Sequence, residues 1–223
     1  MQAIQELILR EGLRPGEPLP PESVLCDHLN ASRSSVREAI RTLVSLDIVE
    51  VRHGYGTFVG QMSLTPLVNG LLFRARLNDG HDLRALREVV QVRIALDLSV
   101  GEELVDVYRG TVQGELNQIV VDMRRLADHG ESFMEQDAAF HARLLEPLHN
   151  ELIQQLGAAF WQIHTAALPL LGIAPSQDIL ETVNAHQTML DALIAGDLEA
   201  YRDAVHAHYR PLMKALSGKL QDS

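Results

Sequence analysis

The chain has 223 residues, of which 46% are hydrophobic and 22% are charged, a composition that excludes a wholly disordered protein. Its 19 basic and 30 acidic residues give a formal net charge of −11, which argues against extensive nucleic-acid binding by the chain as a whole because phosphates bind a basic surface. The single cysteine, Cys26, excludes an internal disulfide and a paired-cysteine metal or redox site.

Neither the first residues nor the longest apolar segment predicts export or a membrane span. The segment from Met1 to Glu6 lacks the basic start and the apolar run of a signal peptide. The apolar stretch from Ala158 to Ala174 is interrupted by polar residues and a proline, so it falls short of the roughly 18 apolar residues that a membrane helix needs. We therefore expect a cytoplasmic protein without membrane contact.

Glycine and proline divide the first 60 residues into short elements. Six of these residues fall between Gly12 and Pro21, whereas residues 32–46 contain none and place apolar side chains at helical spacing. Residues 49–51 and 57–59 have the composition of short strands, and the glycines between them favour a hairpin turn. The predicted order is helix, proline-rich loop, helix, tight turn, helix and hairpin.

From about residue 64 onward, strand signals stop and periodic segments of 12–20 residues follow. We therefore predict a mostly α protein with two domains, residues 1–62 and residues 63–223, the second an all-α antiparallel bundle of six or seven helices. Residues 1–60 contain 6 basic and 8 acidic residues (−2), and residues 61–223 contain 13 and 22 (−9). The acidity therefore belongs almost wholly to the predicted bundle.

A helix-turn-helix spacing lies within the first domain, where a helix from Glu22 to Leu29 precedes a two-residue turn and a second helix. The start of that second helix is rich in side chains that bind bases and phosphates: Ser32 as N-cap, Arg33, Ser34, Ser35, Arg37 and, one turn on, Arg41. Arg52 and His53 would add a wing at the hairpin. The alternative is an amphipathic helix with a solvated arginine row.

The segments 12–22 and 31–40, together with residues 43, 47–49 and 54–59, resemble the winged helix-turn-helix of GntR-family bacterial transcription regulators. The resemblance spans residues 4–60. It implies operator contacts from Ser32, Arg33, Ser34 and Arg37 on the recognition helix, and from His53 and Gly54 at the wing tip. Ser23 departs from the pattern, since some relatives carry a basic residue there.

Polar residues interrupt three apolar stripes of the predicted bundle. Asp137 and His141 lie four residues apart on one helical face, and His186 and His208 are each the centre of another stripe. One carboxylate and three imidazoles suit zinc, nickel or manganese, and four protein ligands leave room for water or a bound carboxylate. The alternative is that each is a hydrogen-bonded core residue.

The same region is similar to the FCD effector-binding domain of the FadR-like GntR branch, over about residues 64–216. Residues 137–141 resemble its Asp-x3-His motif, and His186, the junction at 195–197 and His208 resemble its later sites. The resemblance implies that Asp137, His141, His186 and His208 hold a divalent ion. Residues 93–101 depart from the family pattern, which predicts that the first long helix ends early.

Three further residues are candidates for effector binding. Arg93 continues an inward apolar stripe, so it needs an anionic partner, which is either Asp97 one turn away or an effector carboxylate. Asn150 matches a frequent asparagine of the family, with a helix N-cap as its alternative role. His164 follows Phe160 by one turn and lies either in the core or near the metal cavity.

These patterns predict a ligand-responsive bacterial transcription regulator, acting as a repressor, that binds a palindromic operator in double-stranded DNA as a homodimer. A small carboxylate effector would bind at the metal ion, with zinc favoured over nickel or manganese. One alternative is a metal-dependent hydrolase or lyase with a DNA-binding appendage, although the sequence has no His-Glu-x-x-His and no Gly-x-Ser-x-Gly motif. Another is an effector pocket or dimerisation module without metal.

Overall fold

The structure, a computed structural model, describes residues 1–77, 84–170 and 179–221. Two compact units divide the chain, Met1–Leu67 and Val68–Ser223. Among the described residues, no helix is both long and apolar enough to cross a membrane.

The first unit contains three helices and one hairpin, in the predicted order. The elements are α1 (Gln2–Glu11), α2 (Glu22–Leu29), α3 (Arg33–Ser45), β1 (Val49–Arg52) and β2 (Gly56–Val59). The strands pair antiparallel, with Val49 opposite Val59. The apolar faces of all these elements share one small core, which includes Ile4, Leu7, Leu25, Val36, Leu43, Val49 and Val59.

Local chemistry sets the turn between α2 and α3. Asn30 ends α2 in the left-handed conformation, with φ of 47°, which asparagine tolerates better than most residues. Ser32 then starts α3, because its Oγ accepts a hydrogen bond from the Ser35 backbone N–H at 3.2 Å. The short turn brings α2 and α3 together as the helix-turn-helix that the spacing predicts.

The remainder of the described chain is helical. The helices are α4 (Thr65–Leu77), α5 (Arg84–Ser99), α6 (Gly101–Tyr108), α7 (Gly114–Asp128), α8 (Met134–Leu145), α9 (Glu151–Leu170), α10 (Ile179–Ala195) and α11 (Leu198–Gln221). The fold class predicted from the sequence is confirmed, and the described residues form eight helices here rather than six or seven. One break lies at Val100, where α5 ends early and α6 begins at Gly101.

Packing explains why a glycine starts α6. A Cβ atom on Gly101 would lie 3.1 Å from the side chains of Leu198 and Tyr201, so α6 approaches α11 more closely than a larger residue allows. The bundle core is built mainly from leucine, valine and tyrosine, with Leu86, Leu104, Met123, Phe140, Leu144, Leu190, Tyr201 and Val205 among its buried members. Helix α10 packs against α7 and α11, and α8 packs against α7 and α9.

Candidate metal centre and nucleic-acid interface

The four predicted metal ligands meet inside the helical unit. Asp137 and His141 lie one turn apart on α8, while His186 comes from α10 and His208 from α11. One ligand atom from each lies within 4.8 Å of all the others. The three imidazoles are buried, and the Asp137 side chain is 15% exposed. Three helices therefore converge on one small polar site within an apolar core.

His186 has the orientation of a metal ligand. Its Nδ1–H donates to the backbone carbonyl of Thr182 at 2.8 Å, which turns Nε2 toward the other three residues. That Nε2 is buried without a hydrogen-bond partner among the described residues, yet it lies 3.0 Å from Oδ1 of Asp137. With a proton on Nε2 the two atoms form an ion pair, and without one they repel each other unless another cation lies next to both, so this pair fits a divalent ion in place of the proton.

The other two imidazoles complete the donor set. Nε2 of His141 lies 3.3 Å from Nε2 of His208 and 3.9 Å from Oδ1 of Asp137. Burial, and then the charges of His186 and His141, hold the pKa of His208 well below its usual range. His208 is therefore a neutral imidazole, the form that can ligate a metal.

Asp137 is held as a carboxylate. Burial by itself raises its pKa, but the hydrogen bond with a protonated His186 and then the charges of His141 and His186 bring that pKa well below its usual range. Its second oxygen, Oδ2, accepts a hydrogen bond from the indole Nε1–H of Trp161 on α9 at 2.5 Å. Sequence reasoning missed Trp161, because nothing in the local pattern of α9 shows that its indole faces α8.

The spacing of these donors fits a divalent ion. Ligands that lie about 2.0–2.1 Å from a tetrahedrally coordinated zinc ion are about 3.3–3.4 Å from one another. Three of the donor pairs are separated by 3.0, 3.3 and 3.9 Å and all of them lie within 4.8 Å, so side-chain movements of about an ångström would complete the coordination. Three imidazole nitrogens and one carboxylate oxygen suit zinc, nickel or manganese.

The predicted DNA-contacting residues lie on the exposed side of α3. Ser34 Oγ and Ser35 Oγ each lie 2.9 Å from Ser32 Oγ, so the three hydroxyls form one cluster at the start of the helix. Arg33 is exposed, and no acidic side chain within the described residues forms an ion pair with it. The first turn of α3 therefore presents both hydrogen-bond donors and positive charge to solvent.

The other two arginines of α3 are held by acidic neighbours. Nε of Arg37 lies 2.8 Å from Oε1 of Glu22 on α2, and Arg41 pairs with Glu38 at 3.3 Å. Sequence spacing placed Arg33, Arg37 and Arg41 in one row but gave no sign of the Glu22 contact. Arg37 is thus oriented from the neighbouring helix before any DNA binds.

The wing is the turn between β1 and β2. Gly54 has a φ of 80°, which a side chain would strain, and His53 beside it is exposed. The guanidinium of Arg52 lies 4.3 Å from the centre of the Phe58 ring and also pairs with Glu50, so it is folded back on the hairpin. Tyr55, 84% exposed, is a candidate for wing contact that sequence reasoning missed.

Comparisons with known proteins match both units. The model for bacterial regulatory proteins of the gntR family matches residues 1–59, and the FCD domain model matches residues 88–211. NedR of Micromonospora viridifaciens, named as a transcriptional regulatory protein, is 39% identical over 109 residues, which cover 49% of this chain and 78% of NedR. The chain belongs to the GntR family.

Two further comparisons extend over most of this GntR-family chain. The galactonate operon transcriptional repressor of Escherichia coli is 23% identical over 85% of this chain and 83% of its own length. A solved GntR structure from Streptococcus agalactiae superposes with a TM-score of 0.67 at 24% identity and covers 96% of each chain, which shows a shared fold. The chain is a transcriptional regulator of the GntR type with an FCD domain, and the hydrolase or lyase alternative is not favoured.

The second unit, Val68–Ser223, which contains the FCD match and is called the FCD unit below, also buries the predicted effector residue Arg93 together with Asp97 on α5. The hydroxyl of Tyr209 donates to Oδ2 of Asp97 at 2.7 Å, and the Arg93 guanidinium lies 5.2 Å from the centre of the Tyr209 ring. Burial raises the pKa of Asp97, while the charge of Arg93 and the Tyr209 hydrogen bond act in the opposite direction. Arg93 therefore acts electrostatically on Asp97, and its effector contact stays a prediction.

The two other predicted effector residues have different outcomes. Asn150 caps α9, because its Oδ1 accepts from the backbone N–H of Ile153 at 3.2 Å, which is the alternative role expected from the sequence. His164 belongs to α9, but its side chain lies outside the described part of the chain. Neither observation tests the predicted contact with an effector.

A cavity of about 220 Å³ lies between α8 and α9 beside the metal ligands. His141 and Trp161 line it, together with the small residues Ala138, Ala142, Gly157 and Ala158. The small side chains leave space in an otherwise packed interface, so a small molecule in this cavity would contact His141 and Trp161.

Proposed function

We propose that this GntR-family regulator is a cytoplasmic repressor that binds a palindromic operator as a homodimer, and that a small carboxylate bound at a divalent metal in the FCD unit changes its DNA affinity. The observation that carries the proposal is the convergence of Asp137, His141, His186 and His208 from three helices. Such a set is expensive to bury unless a ligand satisfies it.

The four side chains would hold the ion, with zinc favoured over nickel or manganese. A bound divalent ion would supply a localised positive charge, and an effector carboxylate could coordinate to that ion. The ionised Asp137 and the neutral His208 are already in the protonation states that ligation requires. The cavity between α8 and α9 supports a small effector, because it adjoins His141 and holds only about 220 Å³.

A carboxylate effector and a dimeric mode of DNA binding each have separate support. One relative is named for an operon of galactonate, which is itself a carboxylate. A recognition helix such as α3 reads only a few base pairs, and a symmetric pair of such helices reads a palindrome with a spacing set by the dimer. The effector would act by binding one arrangement of the dimer better than another.

Two measurements test the proposal. Metal analysis of the purified protein should find about one divalent ion per chain in the wild type and a strong loss in His186→Ala. An electrophoretic mobility shift with a promoter-proximal palindrome, at one stated salt concentration, should show retardation that is lost in the Arg33→Ala, Arg37→Ala double variant. A panel of small hydroxy-carboxylates that includes galactonate should then change the retardation of the zinc-loaded protein.

Each part of the proposal has an outcome that contradicts it. Equal metal content in the wild type and in His186→Ala removes the metal site. A mobility shift that is unchanged in the double arginine variant removes α3 as the reading helix. A response to carboxylates that persists after metal removal by a chelator separates the effector site from the metal.

A further inference from the structure

We propose that Trp161 is a positioning residue of the metal site, whose indole N–H holds one oxygen of Asp137 so that the other alone faces the three imidazoles. The proposal rests on metal binding as proposed above. Trp161 lies on α9, which provides none of the four ligands. It would thus bring a fourth helix into the control of metal binding.

The two oxygens of Asp137 have different surroundings. Oδ1 lies 3.0 Å from Nε2 of His186 and 3.9 Å from Nε2 of His141, inside the ring of ligand atoms. Oδ2 points the other way and accepts the indole N–H of Trp161 at 2.5 Å. A hydrogen bond to an ionised carboxylate is short and comparatively strong, so this contact fixes the rotation of the carboxyl group.

That rotation matters because the carboxyl torsion of aspartate is otherwise broad. A carboxylate free to turn can bind a metal through either oxygen or through both. With Oδ2 held by the indole, Asp137 is a ligand through one oxygen only. The four residues then contribute four donor atoms, which leaves more of the coordination sphere open to an effector carboxylate.

Helices α8 and α9 approach closely beside the indole and leave a cavity next to it. Small residues from both helices, Ala138, Ala142, Gly157 and Ala158, surround the cavity that Trp161 lines. A Cβ atom on Gly157 would lie 3.0 Å from the Leu145 side chain, so the two helices are close at this level. The tryptophan therefore contacts Asp137 and also lines the cavity through which an effector would reach His141.

The test compares zinc affinity in the wild type and in Trp161→Phe, which keeps an aromatic ring but has no N–H donor. Loss of a hydrogen-bond partner behind a ligand weakens metal binding about 10- to 100-fold, and we expect a change of that size. Thr165→Val is the matched control, because Thr165 donates from Oγ1 to the backbone oxygen of Trp161 one turn away and leaves the indole intact. Its zinc affinity should equal that of the wild type.

Two readouts separate positioning from packing. Zinc affinity is measured by competition with a chromophoric chelator, and the visible spectrum of the Co²⁺-loaded protein reports coordination geometry. In Trp161→Phe we expect weaker zinc binding and an altered Co²⁺ spectrum, with the helical circular dichroism of the metal-free protein preserved. A residue that served only packing would change the melting temperature and leave the Co²⁺ spectrum unchanged.

The wild type provides an independent test, because Trp161 is the single tryptophan of the sequence. Zinc addition should change its fluorescence emission and reach saturation at one ion per chain, even if Trp161→Phe does not fold. If the wild type binds zinc but the emission is constant, or if Trp161→Phe binds zinc within twofold of the wild type, the positioning role is wrong and the metal site stands. A wild type that binds no zinc overturns both.

Discussion

The two units of this chain place their functional polar residues in opposite environments. In Met1–Leu67, the serines and arginines at the start of α3 are exposed, and their only fixed contacts are with one another or with nearby glutamates. In the FCD unit, the imidazoles are buried, and the His186 ring packs edge-on against Phe140 with 4.7 Å between ring centres. An exposed polar group costs little, whereas a buried one is costly without a partner. The buried cluster is therefore the more informative about chemistry.

The largest expected effect comes from two histidines of α11 that differ in burial. His208 is a predicted ligand, whereas His206, two residues earlier, is exposed. We expect His208→Ala to weaken zinc binding more than about 100-fold, since loss of a ligand exceeds loss of a residue behind it. His206→Ala should bind zinc as the wild type does.

The measurement is the zinc-dependent rise in melting temperature, because an ion that binds only the folded state stabilises it in proportion to its affinity. The rise should vanish in His208→Ala and persist in His206→Ala. An equal rise in both variants would show that zinc binds elsewhere.

Operator binding should depend on which exposed arginine is removed, and not only on the charge that is lost. Arg33→Ala removes an exposed cation at the start of α3, and Arg10→Ala removes one from α1. Each variant loses one positive charge, so the loss of net charge is matched. We expect Arg33→Ala to cost about 1–3 kcal/mol in operator binding, and Arg10→Ala much less.

Fluorescence anisotropy with a labelled operator fragment, at one stated salt concentration, provides the measurement. Zinc affinity should be unchanged in both variants. Equal losses of DNA affinity would mean that general charge, and not contact by Arg33, governs binding.

Acid should lower the stability of the folded protein, because burial keeps His208 neutral. Its pKa is held well below the usual value of about 6.5, first by burial and then by the charges of His186 and His141. The folded chain keeps His208 neutral while the unfolded chain binds a proton below about pH 6.5, so the contribution to stability is present above that pH and is lost as the pH falls.

We expect this group to lower the free energy of unfolding of the metal-free protein by up to about 1.4 kcal/mol per pH unit between about pH 6.5 and 5. Urea unfolding at a series of pH values measures it. The slope should be smaller in His208→Ala and unchanged in His206→Ala. A slope that is the same in all three proteins would exclude His208 as its source.

The sequence predicts buried polar residues better than exposed ones. Asp137, His141, His186 and His208 were predictable because each interrupts an apolar helical stripe, and helical periodicity fixes the direction in which a side chain points. Periodicity does not say which helices are neighbours, so the contact between Trp161 and Asp137, 24 residues apart, depended on how α8 packs against α9. For exposed residues, even the direction in which a side chain points is weakly constrained. Spacing alone therefore did not distinguish a DNA-reading α3 from an amphipathic helix with a solvated arginine row.

The smallest expected effect concerns the contact between Glu22 and Arg37. A partly exposed ion pair contributes about 0–1 kcal/mol to stability, so Glu22→Gln should destabilise the fold by less than about 1 kcal/mol. Its effect on DNA recognition should be larger than its effect on stability, because Arg37 loses the partner that orients it. Glu38→Gln is the matched control, since Glu38 pairs with Arg41 on the same surface and its loss removes the same charge.

Both variants remove one negative charge near the bound phosphates, so both should raise affinity for unrelated DNA by a similar factor. Only Glu22→Gln should narrow the ratio of operator affinity to unrelated-DNA affinity, by a few-fold, because a freely rotating arginine contacts phosphates as readily as bases. Competition binding with operator and scrambled duplexes measures that ratio. If it changes equally in the two variants, Arg37 acts as a general cation and its contact with Glu22 serves stability alone.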